Sequence, residues 1–397
     1  MENFKDTIPP IKISELECAQ DKLAETNNEK ILFREYFSKL GYMEHDALPL
    51  TPSESDQTVS FVGSSVNAFK KYLENRTNIE APASILQPCV RTHDIVHGYD
   101  ISQIPFGMPF FHIYGTFSPK GTYEKTATDV MGFFRDVHKI DNDNILIKPT
   151  VPSFSEKLLA PFIAAGANVE IDHSKFYEWK YGIEGVSGRG VTLFIRHKNG
   201  EWLDVGNVVS ISDKVREIAV EFGIGNEFFQ TALHGYKDPF DASYISKIVE
   251  SKNPIHKKVL TYLETALATS GALTANRTRT TIMVNRYINV VHYLCEVYGY
   301  TRQEVENIAH AYKNIATTDV DVDLFFEKYD ARTLVFGGLE SIFINFLKNP
   351  ISADKDHTRD QLNEYLQKNG IRNEELALYI ERNYKDNAKI QSLCRSL

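Results

Sequence analysis

The stretch that most constrains this chain is QPCVRTHDIVHGYDISQIPFGMPFFHIYGTFSPKG, residues 87–121. An apolar run ends in one arginine, Arg91. A polar loop with His93, Asp94 and His97 follows, and an aromatic-rich strand runs from Phe110 to Phe117. Strand, polar loop, strand, with an arginine at the loop mouth, suits the holding of a triphosphate. A guanidinium stays charged and presents a planar fork of donors to phosphate oxygens. The same residues also fit an ordinary hairpin.

The 397 residues, 42% hydrophobic and 24% charged, are enough for a sizeable core and two or three domains. A net charge of −9 gives no global basic field for nucleic acid, although a local basic patch stays open. Cys18, Cys89, Cys295 and Cys394 form no CxxC pair. Reduced thiols in a cytoplasmic protein are therefore expected, rather than a zinc site or a disulfide framework. The N-terminus has no apolar signal region, and no apolar run is long enough to span a bilayer. No membrane partner is expected.

Residues 1–25 read as a polar arm. Thr26 to Glu29 fits a capping box, with Leu32, Phe33, Tyr36, Phe37 and Leu40 following at helical spacing and Gly41 ending the helix. Ala127, Val130, Met131, Phe134 and Val137 make a second apolar stripe. Residues 144–148 read as a short strand, and Ser153 to Glu156 as another capping box. Gly182, Gly185 and Gly188 punctuate a segment that begins at Trp179. Asn199-Gly200 suggests a type I′ hairpin turn. From about residue 232 the pattern is helical, with stripes at Val259 to Leu267 and Met283 to Leu294.

The CVR run, its loop and FF-x-x-x-G-x-FS resemble motif 2 of the alanyl-tRNA synthetase catalytic-domain family, a class II aminoacyl-tRNA synthetase. Residues 30–73 are similar to the family's first helix and its D-x-T…F…N-x-FK segment, here Asp56, Thr58, Phe61, Asn67, Phe69 and Lys70. WKYGIEGVSGRGVTLFIR resembles its W-x-x-G-x-x-G-x-x-G segment, with Ser187 and Gly190 where the family has paired cysteines. LDVGNVV resembles its asparagine-bearing strand and places Asn207. VEFGIGNEF resembles motif 3, V-D-T-G-x-G-x-E-R, with Glu221 for the aspartate and Phe228 for the arginine. GALTANRTRTTIMVNRYINVVHYL is similar to the helix that holds the tRNA acceptor stem, thinned to Arg277, Arg279 and Arg286. The resemblance covers roughly residues 27–310, and the family's editing and C-terminal domains are not represented.

The resemblance implies an α+β fold: a class II synthetase-type antiparallel sheet flanked by helices, followed by a helical domain. The expected division is an arm at 1–25, a catalytic domain at 26–235, and a helical domain with tail at 236–397. It implies ATP and Mg²⁺ as cofactors and activation of alanine or another small amino acid as an adenylate. Transfer would be to a small molecule, a carrier or tRNA. Arg91 would hold the α-phosphate and the substrate carboxylate. His93 and His97 would approach pyrophosphate, Phe111 would stack on adenine, and Gly225 would border the nucleotide. Trp179 would wall the amino-acid side chain, Asn207 would donate to its carboxylate, Glu221 would accept from its amine, and Gly223 would floor the pocket. No carboxylate cluster marks a metal site. The alternative is a catalytically inactive binding or regulatory paralogue, because the arginine replaced by Phe228 normally binds ATP. Homo-oligomerisation is left open.

Overall fold

The computed structural model describes residues 16–53, 59–100, 108–150, 155–171, 178–275, 277–348 and 355–394. Strand β2 (Ala83–Val90) follows β1 (Met43–His45) and helix α2 (Lys70–Asn75), and pairs antiparallel with β3 (Phe110–Pro119). Cys89 faces Phe111 and Gln87 faces Ile113 across that pair. The strands expected on either side of the polar loop are thus present in register. β3 continues antiparallel into β9 (Glu217–Gly225), which pairs with β8 (Trp202–Ser212), itself paired with β7 (Ser187–Arg196). β4 (Ile145–Pro149) closes on β7, and the short β6 (Trp179–Lys180) pairs with β7 at its other end.

The sheet differs from a purely antiparallel one. Nine strands among the described residues run in the order β1-β2-β3-β9-β8-β7-β4-β5, with β6 off this path, and the β1–β2 and β4–β5 pairs are parallel. A parallel return needs a crossover longer than a hairpin. Helix α4 (Ser155–Ala164) supplies it between β4 and β5 (Asn168–Val169). The fold is α+β with a mixed sheet.

Side chains alternate across the central strands. Tyr114, Val208, Val220, Phe222 and Ile224 point to one face. There they meet Phe33 and Phe37 of α1 (Leu16–Lys39), Val130 and Met131 of α3 (Tyr123–Gly132), and Phe229 of α5 (Asn226–His234). The opposite set, Phe111, Ile113, Asn207, Val209, Glu221, Gly223 and Gly225, lines a cavity.

Several local expectations need correction. The first helix begins at Leu16, ten residues before the proposed Thr26 cap. Thr26 and Glu29 are buried inside it, and Glu29 faces the His138 ring at 3.6 Å. Packing of this polar pair carries the helix through a sequence that reads locally as a start. The β7–β8 connection is also not a type I′ turn, which needs positive φ at two central residues. Only Gly200 is left-handed (φ +93°), and the Gly200 N–H donates to the His197 carbonyl. His197 N–H then donates to the Glu201 carbonyl, which makes a longer loop with a glycine bulge. Asp56, Thr58 and Ser153 lie outside the described residues.

The helical half contains α6 (Pro254–Ala268), α7 (Thr278–Tyr298), α8 (Arg302–Lys313) and α9 (Val322–Lys348). Its core also takes in Leu50, Phe61, Val90, Ile95, Tyr99 and Phe110 from the sheet half. Packing therefore does not break at residue 235. The end of α9 with α10 (Lys355–Lys368), α11 (Asn373–Tyr384) and α12 (Ala388–Cys394) forms a separate small core around Leu339, Phe343, Leu362 and Leu376. No helix among the described residues is long and apolar enough to cross a membrane.

Candidate functional site

Three adjacent strands make the floor of a cavity of about 820 Å³. Asn207 on β8 faces Gly223 on β9, and Gly223 faces Gly115 on β3. One step along, Val209, Glu221 and Phe117 are level. Two-residue periodicity thus brings Asn207, Glu221, Gly223 and Gly225 onto one surface. Trp179 of β6 and the Tyr181 that follows the strand wall it, as do residues 63–67 and Lys70 at the start of α2. Arg91, His93 and Phe111 form the end nearest the β2–β3 loop, and Arg279 reaches it from α7.

Eight of the nine residues singled out from the sequence line this one cavity: Arg91, His93, Phe111, Trp179, Asn207, Glu221, Gly223 and Gly225. His97 does not line it. Its carbonyl accepts from the Lys258 ammonium (2.9 Å), so the turn carrying His97 is fastened to α6 and the imidazole is exposed. His97 is therefore placed away from the pyrophosphate role expected of it.

Glu221 lies at the deep end and is 9% exposed. The Tyr181 hydroxyl donates to its Oε2 (3.1 Å) and the Ser64 hydroxyl to its Oε1 (3.4 Å). Burial pushes the carboxyl up to about 7, against those hydroxyl donors and the field of Arg91. Ser64 is itself held. Its N–H donates to Asn67 Oδ1 (3.1 Å), and its hydroxyl oxygen accepts from Val66 N–H (3.4 Å). Asn67 thus holds the Ser64 whose hydroxyl reaches Glu221. Asn207 Oδ1 is buried and has no hydrogen-bond partner among the described residues. A carboxylate and an unsatisfied amide oxygen on neighbouring strands make an end that accepts hydrogen bonds. An ammonium, with three donors, satisfies it.

The other end is cationic. The Arg91 guanidinium stacks over the Phe111 ring at 5.0 Å. Its backbone is fixed on both sides: Arg91 N–H donates to the Pro109 carbonyl (2.9 Å), and the Tyr287 hydroxyl donates to the Arg91 carbonyl (3.1 Å). Phe111 is therefore the platform for Arg91, which occupies one ring face expected for adenine. Lys70, Lys180 and Arg279 also line the cavity, whereas its carboxylates are Asp204 and Glu221. Asp204 is raised to about 6 by desolvation, opposed by the Gly206 N–H and the Arg91 charge.

Phe228 lines the same cavity. Glu227 does not reach the cavity. Its Oε1 pairs with His112 Nδ1 (2.7 Å) and its Oε2 accepts from His112 N–H (2.9 Å), fastening the start of α5 to β3. Among the described residues no group of three or more His, Cys, Asp or Glu side chains is placed to hold a metal ion. A Mg²⁺ that accompanies a nucleotide is held by phosphate oxygens and water with one or two carboxylates, and the carboxylates of this cavity are Asp204 and Glu221.

The sequence reading does not single out Tyr181 and Ser64, and it names Arg279 only as an arginine of the helix similar to the tRNA-holding one. Tyr181 was within a segment already matched to the family, and a hydroxyl two residues beyond the wall tryptophan was its one signal. Nothing in the local sequence aims Arg279 at a cavity. The other two helix arginines have separate uses. The Arg277 guanidinium donates to the carbonyls of Pro52 (3.1 Å), Ser53 (2.6 Å) and Val59 (3.4 Å), and Arg286 contacts Met283 Sδ at 3.8 Å. No family model matches the chain, and no curated protein matches it either.

Proposed function

We propose that the chain is an ATP-dependent ligase that activates alanine or another small amino acid as an aminoacyl-adenylate. The adenylate passes to a hydroxyl or amine acceptor on a small molecule or carrier, or on tRNA. The observation that carries this reading is the two-ended cavity. Glu221 and the unpartnered Asn207 oxygen lie at one end, and Arg91 over Phe111 lies at the other. An amino acid bound by its ammonium at Glu221 presents its carboxylate towards the cationic end. There it attacks the α-phosphorus of ATP in line, and pyrophosphate leaves. The protein supplies orientation and charge stabilisation, and no side-chain nucleophile is required. Gly223 keeps the floor low. A Cβ there would stand 3.4 Å from Ile113 Cγ2 and 3.7 Å from Ser65 Oγ, so a side chain at this position would take up the room of a small substrate.

ATP–pyrophosphate exchange with a panel of amino acids tests this directly. Exchange with one small amino acid, abolished in Arg91→Ala, is expected. Absence of exchange with every amino acid, with and without candidate acceptors, counts against it. Phe228 favours a second reading, a binding or regulatory paralogue without turnover, because phenylalanine offers no charge and no donors. Micromolar ATP binding by calorimetry with no exchange would select that reading. A tRNA acceptor is the less favoured of the three, because Arg277 is committed to backbone carbonyls. A tRNA mobility shift at low salt tests it.

A further inference from the structure

The cationic end of the cavity is built from two parts of the chain that lie far apart in sequence. Arg91 comes from the end of β2. Arg279 comes from the first turns of α7, nearly two hundred residues later, and lines the same space. The placement of Arg279 is fixed by its neighbours. On one side Arg277 binds the carbonyls of Pro52, Ser53 and Val59. On the other, the Thr280 hydroxyl donates to the Ser60 carbonyl at 2.8 Å in a buried contact. Val59 and Ser60 are themselves cavity-lining residues. Further along α7 the Tyr287 hydroxyl holds the Arg91 carbonyl. The helix is therefore tied both to the cavity wall and to the backbone of the other arginine. Its first turn carries a guanidinium into the opening from a fixed position.

Among the described residues no carboxylate is within ion-pair distance of the Arg279 guanidinium, and it is exposed towards the cavity. A guanidinium at an anchored helix end and a second one stacked on an aromatic ring, both lining one cavity, suit an extended anion that reaches the two. Phe228, on the same cavity, contributes no charge there.

We propose that Arg279 grips the terminal phosphates of the nucleotide, while Arg91 holds the phosphate at which the bond to the amino acid forms. The proposal rests on the reading of the cavity as an ATP site. It adds that the cation which Phe228 does not supply comes from the helical half. Arg279 then works as a ligand-binding residue for the polyphosphate tail and contributes nothing to binding of a nucleoside monophosphate.

Calorimetric titration of the full chain with ATP, AMP and inorganic triphosphate tests this, using wild type, Arg279→Ala, Arg279→Lys and Arg286→Ala. Loss of one charge-assisted contact weakens ATP and triphosphate binding by roughly ten- to a hundredfold in Arg279→Ala. AMP affinity is unchanged, and the lysine variant recovers part of the loss. Arg286→Ala, which removes an arginine of the same helix from outside the cavity, binds all three as wild type does. Equal ATP binding by wild type and Arg279→Ala overturns the proposal. So does a parallel loss for ATP and AMP, which would assign Arg279 a general structural role. Failure of wild type to bind ATP or AMP is a distinct result and overturns the reading of the cavity itself.

Discussion

At the scale of single residues, Glu221 holds the sharpest expectation. Its carboxyl is raised to about 7, chiefly by burial, so near neutrality without ligand it is divided between neutral and charged forms. An ammonium ligand binds the charged form. Affinity for a small amino acid is therefore expected to fall about tenfold per pH unit below 7 and to level off above it. Titration calorimetry from pH 5.5 to 8.5 reads this slope, and Glu221→Gln should flatten it while weakening binding. An unchanged slope in the variant would detach the pH dependence from Glu221. The sign for stability is opposite. The folded carboxyl titrates above its ordinary value, so the folded state binds the extra proton between about 4.5 and about 7. Without ligand, stability falls as pH rises through that window, and Glu221→Gln removes this fall. Glu221→Asp draws the carboxylate back by one methylene from the ligand end. A shift in amino-acid preference is expected, and identical kinetics across the panel for both forms would refute it.

At the scale of elements, the β6–β7 pair depends on a residue that has no side chain. Gly188 faces Trp179 across the pair. A Cβ on Gly188 would stand 2.5 Å from Val209 Cγ1 and 2.7 Å from Tyr181 Oη. Gly188→Ala therefore pushes Tyr181 away from Glu221, at a cost on the order of 1–3 kcal/mol in stability. Amine-dependent binding should weaken with it, while AMP binding is kept. Gly182 is different: its φ is +70° and nothing lies within 4 Å of the added Cβ, so alanine there meets backbone strain alone. Chemical denaturation and binding measured on both variants separate the two cases. Loss of amine affinity in Gly182→Ala but not in Gly188→Ala would contradict this assignment. These elements also mark the limit of what sequence discloses. The strands around the Arg91 loop, β4 and β8 are legible as apolar or alternating runs; alternation along β9 puts Glu221 and Gly223 on one face, but Asn207 joins them only through the β8–β9 register, which no local pattern shows. The edge strands β1 and β5 are too short to leave a pattern. The start of α1 is hidden because Thr26 and Glu29, which read locally as a cap, are buried by tertiary packing. Arg279 is invisible from sequence for the same reason: its aim is set by hydrogen bonds to residues more than two hundred positions away.

At the scale of the whole molecule, one buried imidazole adds a polar link to the apolar core that the sheet and the helical half share. His112 is 4% exposed, on the strand that carries Phe111 and Ile113. Its Nδ1 meets Glu227 Oε1 at 2.7 Å and its Nε2 meets Thr317 Oγ1 at 2.7 Å. Glu227 opens α5, and Thr317 lies between α8 and α9, so three parts of the fold converge on one ring. With Glu227 ionised, Nδ1 must carry a proton and donate, and in the neutral ring Nε2 accepts from the threonine hydroxyl. The ring of Tyr244 packs beside it at 5.0 Å. Removing the imidazole leaves a buried carboxylate whose remaining donor is the His112 N–H. A buried charge stripped of its partner costs on the order of 3–5 kcal/mol. His112→Ala is thus expected to lower stability by that amount. Thr317→Val, which leaves the Glu227 pair intact, should cost much less, on the order of 1 kcal/mol. A double variant, His112→Ala with Glu227→Gln, should recover much of the loss, because the unpaired charge is gone. Denaturant unfolding of these variants, with Glu227→Gln alone to close the cycle, yields the coupling between the two sites. Strict additivity would mean that the ring and the carboxylate act independently.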